Sequence, residues 1–213
     1  MTVQQILDAS RNNLNAISDT LWSDSELLIT LYRVMVKAAE KSQCINTSES
    51  QNTIAGTATY TAPASFSEIW RITYEGTKLQ PIDRTKLDSM NPNGVTSSGN
   101  PAYYLLEGTT ITLYPTPSAV GALKVFFYGI PTAVPTTGTT LEIPARYHPH
   151  LVTLLTAEMC PKDIGHPMTL LWEGKAKADL ADMQAHERKI RRSDRLAVVK
   201  LEEACVSGEF GIV

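Results

Sequence analysis

Glu68-Ile69-Trp70-Arg71-Ile72-Thr73-Tyr74, then Glu75-Gly76, then Thr77-Lys78-Leu79-Gln80-Pro81-Ile82: the reading of this stretch decides the fold. Two β-prone runs, Glu68 to Tyr74 and Lys78 to Ile82, are joined by an acidic residue and a glycine where a two-residue hairpin turn belongs. Working outward, Thr53 to Tyr60, Tyr103 to Leu106, Thr110 to Tyr114 and Leu123 to Tyr128 read as further strands, with Glu107-Gly108 as a second turn. Thr140 to Ile143 reads as a short last strand, and the breaker-rich run from Asn91 to Pro101 as a loop. Composition agrees: residues 45–140 hold 18 of the 24 threonines and 10 of the 15 aromatics but only 11 of the 41 charged residues, as expected of half-buried pleated surfaces. The middle of the chain is therefore expected to form a small antiparallel sandwich or barrel.

Both flanks change to a helical period. Val3, Leu7, Ser10, Leu14, Ile17 and Leu21 make one stripe interrupted by a small polar residue. Ser23-Asp24-Ser25-Glu26 then offers a capping box to a second helix, whose stripe of Leu27, Leu31, Val34, Met35 and Ala38 is widened by Leu28, Tyr32 and Ala39. A face so wide needs more than one neighbour. After Pro144, Leu151, Leu154, Leu155 and Met159 form a compact face that Pro161 ends, and Pro167 suits the first turn of a long helix. Its buried stripe is Trp172, Ala176, Leu180, Met183 and Ile190, ending near Arg192 after roughly 40 Å. From Ser193 onward the chain reads as an extension without a core of its own.

The expected class is α+β: a helical bundle from N- and C-terminal helices with an inserted antiparallel β-domain. The divisions fall at 1–45, 46–144, 145–192 and 193–213. With 213 residues, a net charge of −3 and 43% hydrophobic residues, the chain is a globular protein and no bulk binder of nucleic acid or anionic membrane. It lacks a run of roughly 18 apolar residues for a membrane helix, and its N-terminus does not read as a secretory signal. Three distant cysteines, Cys44, Cys160 and Cys205, fit reduced thiols better than a disulfide framework.

Catalytic signatures are weak. Phosphate-cradling and dinucleotide glycine motifs and the nucleophile elbow are absent. His148 and His150, with Cys160 or His166, are the best metal candidates but lack a recognisable four-ligand spacing, and His186-Glu187 opens like HExxH only to meet Ile190 where the second histidine belongs. Asp83 with Asp88 and Glu68 with Glu75 could pair as acid and base, though solvated strand-end carboxylates read the same way. No catalytic residue, metal or cofactor is assigned. Arg188, Lys189, Arg191, Arg192 and Arg195 place five cations in eight positions, which suits either a helix C-terminal dipole or a docking surface. Without interleaved aromatics to stack bases, an acidic protein fits that surface better than single-stranded nucleic acid.

In order along the chain come Trp22-Ser23-Asp24-Ser25-Glu26-Leu27-Leu28, Ala58-Thr59-Tyr60, Gly99-Asn100-Pro101-Ala102-Tyr103-Tyr104, Ile111-Thr112-Leu113-Tyr114-Pro115-Thr116-Pro117, Phe127-Tyr128 and Leu141-Glu142-Ile143-Pro144. This ordered set, over about residues 20–190, resembles the head-to-tail adaptor (connector) proteins of tailed bacteriophages, with Thr61-Ala62-Pro63 a departure from the expected Leu-Pro. The resemblance implies a non-enzymatic virion protein of the head–tail neck, made in the host cytoplasm. It implies a dodecameric ring beneath the portal protein, joined below to a tail or nozzle protein, with genomic DNA passing through the lumen without specific binding. A C-terminal extension would dock into the portal, here through Arg188, Arg191, Arg192, Arg195 and Phe210. Leu27, Leu31, Met35, Trp172, Leu180 and Met183 are the candidates for packing between subunits. Two other classes remain: a carbohydrate-binding or adhesion module using Tyr103 and Tyr104 on the β-domain, and a cell-wall hydrolase supported only by a supply of carboxylates.

Overall fold

A computed structural model describes residues 1–15, 21–90, 97–162 and 168–207, with the backbone alone for residues 162 and 193–207. The fold is α+β, with five α-helices and mainly antiparallel sheets among the described residues. It divides into two compact units: Met1–Cys44 with Ala133–Val213, and Ile45–Thr132.

The first unit is helical. Helix α1 (Val3–Asn13) starts with a full capping box between Thr2 and Gln5 and buries Val3, Ile6, Leu7 and Ser10. The polar break in its stripe is satisfied, because the Ser10 hydroxyl donates to the carbonyl of Ile6 at 2.9 Å. The helix stops at Asn13, short of the expected stripe; Ile17 lies outside the described residues. Helix α2 (Asp24–Ser42) is capped by Ser23, whose hydroxyl accepts from the Glu26 N–H at 3.4 Å, and ends on Gln43 in the left-handed region. Helix α4 (His148–Met159) is buried nearly all round, at Leu151, Val152, Leu154, Leu155, Thr156, Ala157 and Met159. The reason is its position: α1, α2 and α5 (Thr169–Ser207) all pack against it, whereas an amphipathic surface helix would hide one stripe. The wide face of α2 is divided between α4 and α5.

Helix α5 runs past its expected end near Arg192. Its backbone continues for fifteen residues past Arg192 to Ser207, giving 39 residues and about 58 Å of helix. Helices α2 and α4, with 19 and 12 residues, could not cover it even end to end.

The second unit is a sandwich. One sheet has the order β1-β10-β3-β4, from Asn46–Asn52, Ala122–Gly129, Phe66–Tyr74 and Thr77–Lys78. The other has the order β2-β8-β7-β5, from Thr59–Thr61, Thr110–Tyr114, Tyr103–Glu107 and Gln80–Pro81, the last pair being parallel. Both contribute to one core that includes Ile72, Tyr74, Leu79, Ile111, Leu113, Leu123, Val125 and Phe127. A third, two-stranded sheet joins β6 (Ser98–Gly99) to β9 (Thr116–Pro117). The deciding hairpin closes as its sequence demands: Glu75 and Gly76 have φ of +47° and +77°, the pair of positive values that a two-residue turn of this hand requires. The next hairpin turns on Gly108-Thr109, one residue later than expected, with Gly108 at φ +59°. Gly121 is required by close approach, since a Cβ there would lie 2.5 Å from the Tyr74 ring.

Three elements differ from expectation. Residues 140–143 form no strand; Leu141 and Ile143 are buried as isolated anchors instead. Helix α3 (Arg84–Met90) occupies a segment for which no element is expected, begun by Asp83, whose carboxylate accepts from the Lys86 N–H at 2.6 Å. The expected strand from Thr53 to Tyr60 is paired only at Thr59 and Tyr60, within β2, and the strand before it is β1, whose seven polar residues show no apolar alternation. Of the expected loop, residues 91–96 lie outside the described residues.

Candidate functional site

Chemistry gathers in the helical unit where a single turn of helix, Ala145–Tyr147, meets α5. Glu187 is only 7% exposed, and it occupies a position four residues beyond Met183 on the otherwise apolar stripe of α5. Its carboxylate accepts from the Tyr147 hydroxyl at 2.6 Å and from the Arg146 guanidinium at 2.7 Å. The Tyr147 oxygen also lies 2.8 Å from Nδ1 of His186. Because that hydroxyl donates to Glu187, it is the acceptor from His186.

Burial, followed by the adjacent Glu187 carboxylate, pushes the Tyr147 phenol up to about 12. For Arg146 burial acts downward, but the bonds to Glu187 and Tyr147 outweigh it and hold the guanidinium above its ordinary value. Cys44, at the end of the same unit, has its thiol pushed up chiefly by burial. Both donors, the Tyr147 hydroxyl and the Arg146 guanidinium, meet at Oε1 of Glu187. The cluster is a clamp that fixes α5 in register, reinforced where Gln184 donates to the Lys41 carbonyl at 3.1 Å and Arg191 bonds the Gln43 side chain.

The expected cationic run lies just beyond this clamp. Arg188, Lys189 and Arg192 are exposed, whereas Arg191 is half-buried and its guanidinium is committed to Gln43 and to the Glu187 carbonyl. Arg195 lies on α5 with its side chain outside the described residues, as does Phe210 altogether. The residues expected to pack between subunits are occupied within the unit itself: Leu27, Leu31, Met35, Trp172 and Met183 are buried in it and Leu180 is half-buried. Exposed apolar side chains are found instead at Met168, Leu170 and Leu171, at the start of α5, and at Ile29.

No group of three or more metal-ligating side chains exists among the described residues. His148 bonds the Ile143 carbonyl at 3.0 Å while His150 faces Asp179 at 3.3 Å, so the two imidazoles serve separate partners; His166 lies outside the described residues. The carboxylate pairs do not meet as acid and base either, since Asp83 caps α3 and Asp88 pairs with Arg84 at 3.4 Å. No described helix is long and apolar enough to cross a membrane.

The β unit corrects the expected aromatic platform. Tyr104 is in the core, and Tyr103 packs with Ile82, Leu87, Leu105 and Tyr114 on the sheet face that α3 covers. Among the described residues the exposed aromatic is Trp70, on the other sheet, and sequence reasoning missed it. Strand β3 bulges there: Phe126 pairs with Arg71 but Phe127 with Ile69, leaving Trp70 as the extra residue, the device that re-aims a side chain.

The family model described as SU10 adaptor protein matches residues 1–199. The search of curated proteins found no match.

Proposed function

The chain belongs to the SU10 adaptor protein family of phage head-to-tail adaptors, and from that premise we propose that it forms the ring beneath the portal and joins the portal to the tail. The family is one of structural virion proteins that interact with other head and tail proteins. In the finer reading the ring is dodecameric and occupies the head–tail neck. A nozzle or other tail protein binds below it, and DNA is retained and conducted through the lumen without specific contacts. The helical unit corresponds to the bundle and the sandwich to the inserted domain.

The observation that carries this reading is α5. A helix of 39 residues, clamped at Glu187 and carrying exposed Arg188, Lys189 and Arg192 next to the clamp, outruns every helix available to cover it. A surface that cannot be hidden within its own unit suits a partner. The cations favour an acidic portal surface, with Arg195 and Phe210 continuing the contact. Contacts between neighbouring copies are assigned to the exposed Met168, Leu170, Leu171 and Ile29, because the stripes of α2 and α5 are already filled.

Mixing the full chain with its portal protein and measuring the mass of the complex tests the proposal. A stable complex with many copies is expected. Truncation after Arg192 should abolish that complex and remove at most fifteen residues of helical signal. A full chain that stays unbound at every ratio overturns the proposal, and an unchanged complex after truncation overturns the assignment to α5.

A further inference from the structure

The sandwich has one long open edge. Strand β1 pairs with β10 over Asn46↔Tyr128 to Asn52↔Ala122 without a register shift, and no described strand lies on its other side. The other edge strands are short: β4 has two residues, β2 three, and β5 two ending in Pro81. Short strands, prolines, charges and bulges are the usual means of protecting a sheet edge, and of these β1 has a single charge, Glu49.

Its polarity can be worked out. The Gly129 N–H donates to the Ile45 carbonyl and the Thr53 N–H to the Gly121 carbonyl, each at 2.8 Å. Antiparallel alternation therefore turns the odd-numbered backbone groups toward β10 and those of Asn46, Ser48, Ser50 and Asn52 toward the open side. Four N–H groups and four carbonyls form a ready ladder.

The outer sheet face adds side-chain chemistry beside that ladder. The Trp70 indole reaches across from β3 to donate to Asn46 Oδ1 at 3.3 Å, with its ring 5.4 Å from Phe126. Small Ser48 leaves a shallow groove of about 470 Å³ between Asn46, Ser48, Trp70 and Phe126. The Lys124 ammonium and the Arg71 guanidinium lie 5.0 and 5.3 Å from the Phe126 ring, and neither is paired with a carboxylate among the described residues. The only charge on β1 is Glu49, which shares its face with Val125 on the opposite side of the sheet.

We propose that β1 is a strand-addition site for an extended segment of a different protein. That segment would carry an acidic side chain opposite Ser48, facing Arg71 and Lys124, and a basic one at the adjacent position opposite Glu49. Main-chain bonds supply affinity and the alternating pockets supply selectivity, the general logic of β-augmentation. A second copy is the wrong occupant. The β1 residues on the outer face, Asn46, Ser48, Ser50 and Asn52, bring no acidic side chain to Arg71 and Lys124 in any register of self-pairing. The register centred on Glu49 sets like charges directly opposite, which destabilises a pair. The inference is independent of the ring and of the portal contact.

The test uses the full chain and a synthetic nine-residue Thr/Val peptide with one Glu and one Lys at adjacent central positions. Trp22 and Trp172 are buried, so iodide quenching reports on Trp70. Binding should reduce that quenching and slow exchange of the Ser48 and Ser50 amides. A peptide N-methylated at alternate residues on the bonding side should bind at least about tenfold more weakly, since those N–H groups supply the ladder. Ser50→Pro should do the same without disturbing the pairing of β1 with β10, because its N–H faces the open side. Ellipticity checks that variant's fold, and the N-methylated peptide needs no variant. Equal affinity for plain and N-methylated peptides, absence of binding, or concentration-dependent protection of Ser48 and Ser50 in the chain alone would each overturn the proposal.

Discussion

The helical unit and the sandwich both break the rule of apolar inside and polar outside, in opposite directions. The helical unit buries a carboxylate, Glu187, on a helix stripe; the sandwich exposes a tryptophan, Trp70, on a sheet face. In the first, the buried acid accepts from Tyr147 and Arg146, both at Oε1, so its chemistry is internal and its product is a fixed helix. In the second, Arg71 and Lys124 surround Phe126 without a carboxylate of their own, so the chemistry faces outward. The difference separates a structural polar cluster from a recognition surface: one pairs its charges within the unit and the other does not.

The largest expected effect breaks the internal cluster. Glu187→Ala should cost about 2 kcal/mol, chiefly because it takes the acceptor from the buried Tyr147 hydroxyl, while the half-exposed Arg146 can turn to water. Glu187→Gln should cost less, since the amide oxygen still accepts from Tyr147. Denaturant unfolding followed by helical ellipticity measures both. A loss below about 1 kcal/mol for the alanine variant would make the cluster a surface feature and dissolve the contrast.

That cluster was hardly legible in the sequence. Tyr147 and Glu187 are forty residues apart, and His186-Glu187 was weighed only as a failed zinc motif. The available signal was a carboxylate four residues after Met183 on an apolar stripe. Helix α2 was legible because its cap, stripe and stop are all local. The end of α5 is not legible from its apolar stripe, which stops near Ile190 while the helix goes on to Ser207. Yet Arg195 to Ser207 contains neither glycine nor proline, and Leu196, Ala197, Lys200, Leu201, Glu202, Glu203 and Ala204 are good helix formers. Strand β1 escaped for the opposite reason: Asn46-Thr47-Ser48-Glu49-Ser50-Gln51-Asn52 has no apolar alternation, since it is an edge created by pairing with β10. Thr140 to Ile143 alternates like a strand, but no described strand pairs with it.

Tyr147→Phe sharpens the comparison by a smaller amount. It keeps the ring and the Arg146–Glu187 pair and removes one donor, so a loss of about 1 to 2 kcal/mol is expected. The loss should depend on pH. The phenol ionises at about 12 when folded against 10 in the unfolded chain, so the folded state favours its protonated form. That stabilisation is complete below pH 10 and disappears as pH rises from 10 to 12. The gap between wild type and the Phe variant should therefore narrow over that window. A gap that stays constant would show that Tyr147 contributes by packing alone.

The smallest effect belongs to the exposed side. Trp70→Ala removes a side chain that is 40% exposed and contributes one 3.3 Å bond to Asn46, so its stability cost should stay below about 1 kcal/mol. Its spectroscopic effect should be much larger. With Trp22 and Trp172 buried, nearly all iodide-accessible fluorescence comes from Trp70 and should vanish in the variant. A loss comparable to that of Glu187→Ala would mean that the aromatic face holds the sandwich together. A small loss with the quenchable signal gone would mean that the bulge at Trp70 maintains an exposed indole that the isolated sandwich scarcely needs, the expected property of a surface held ready for another chain.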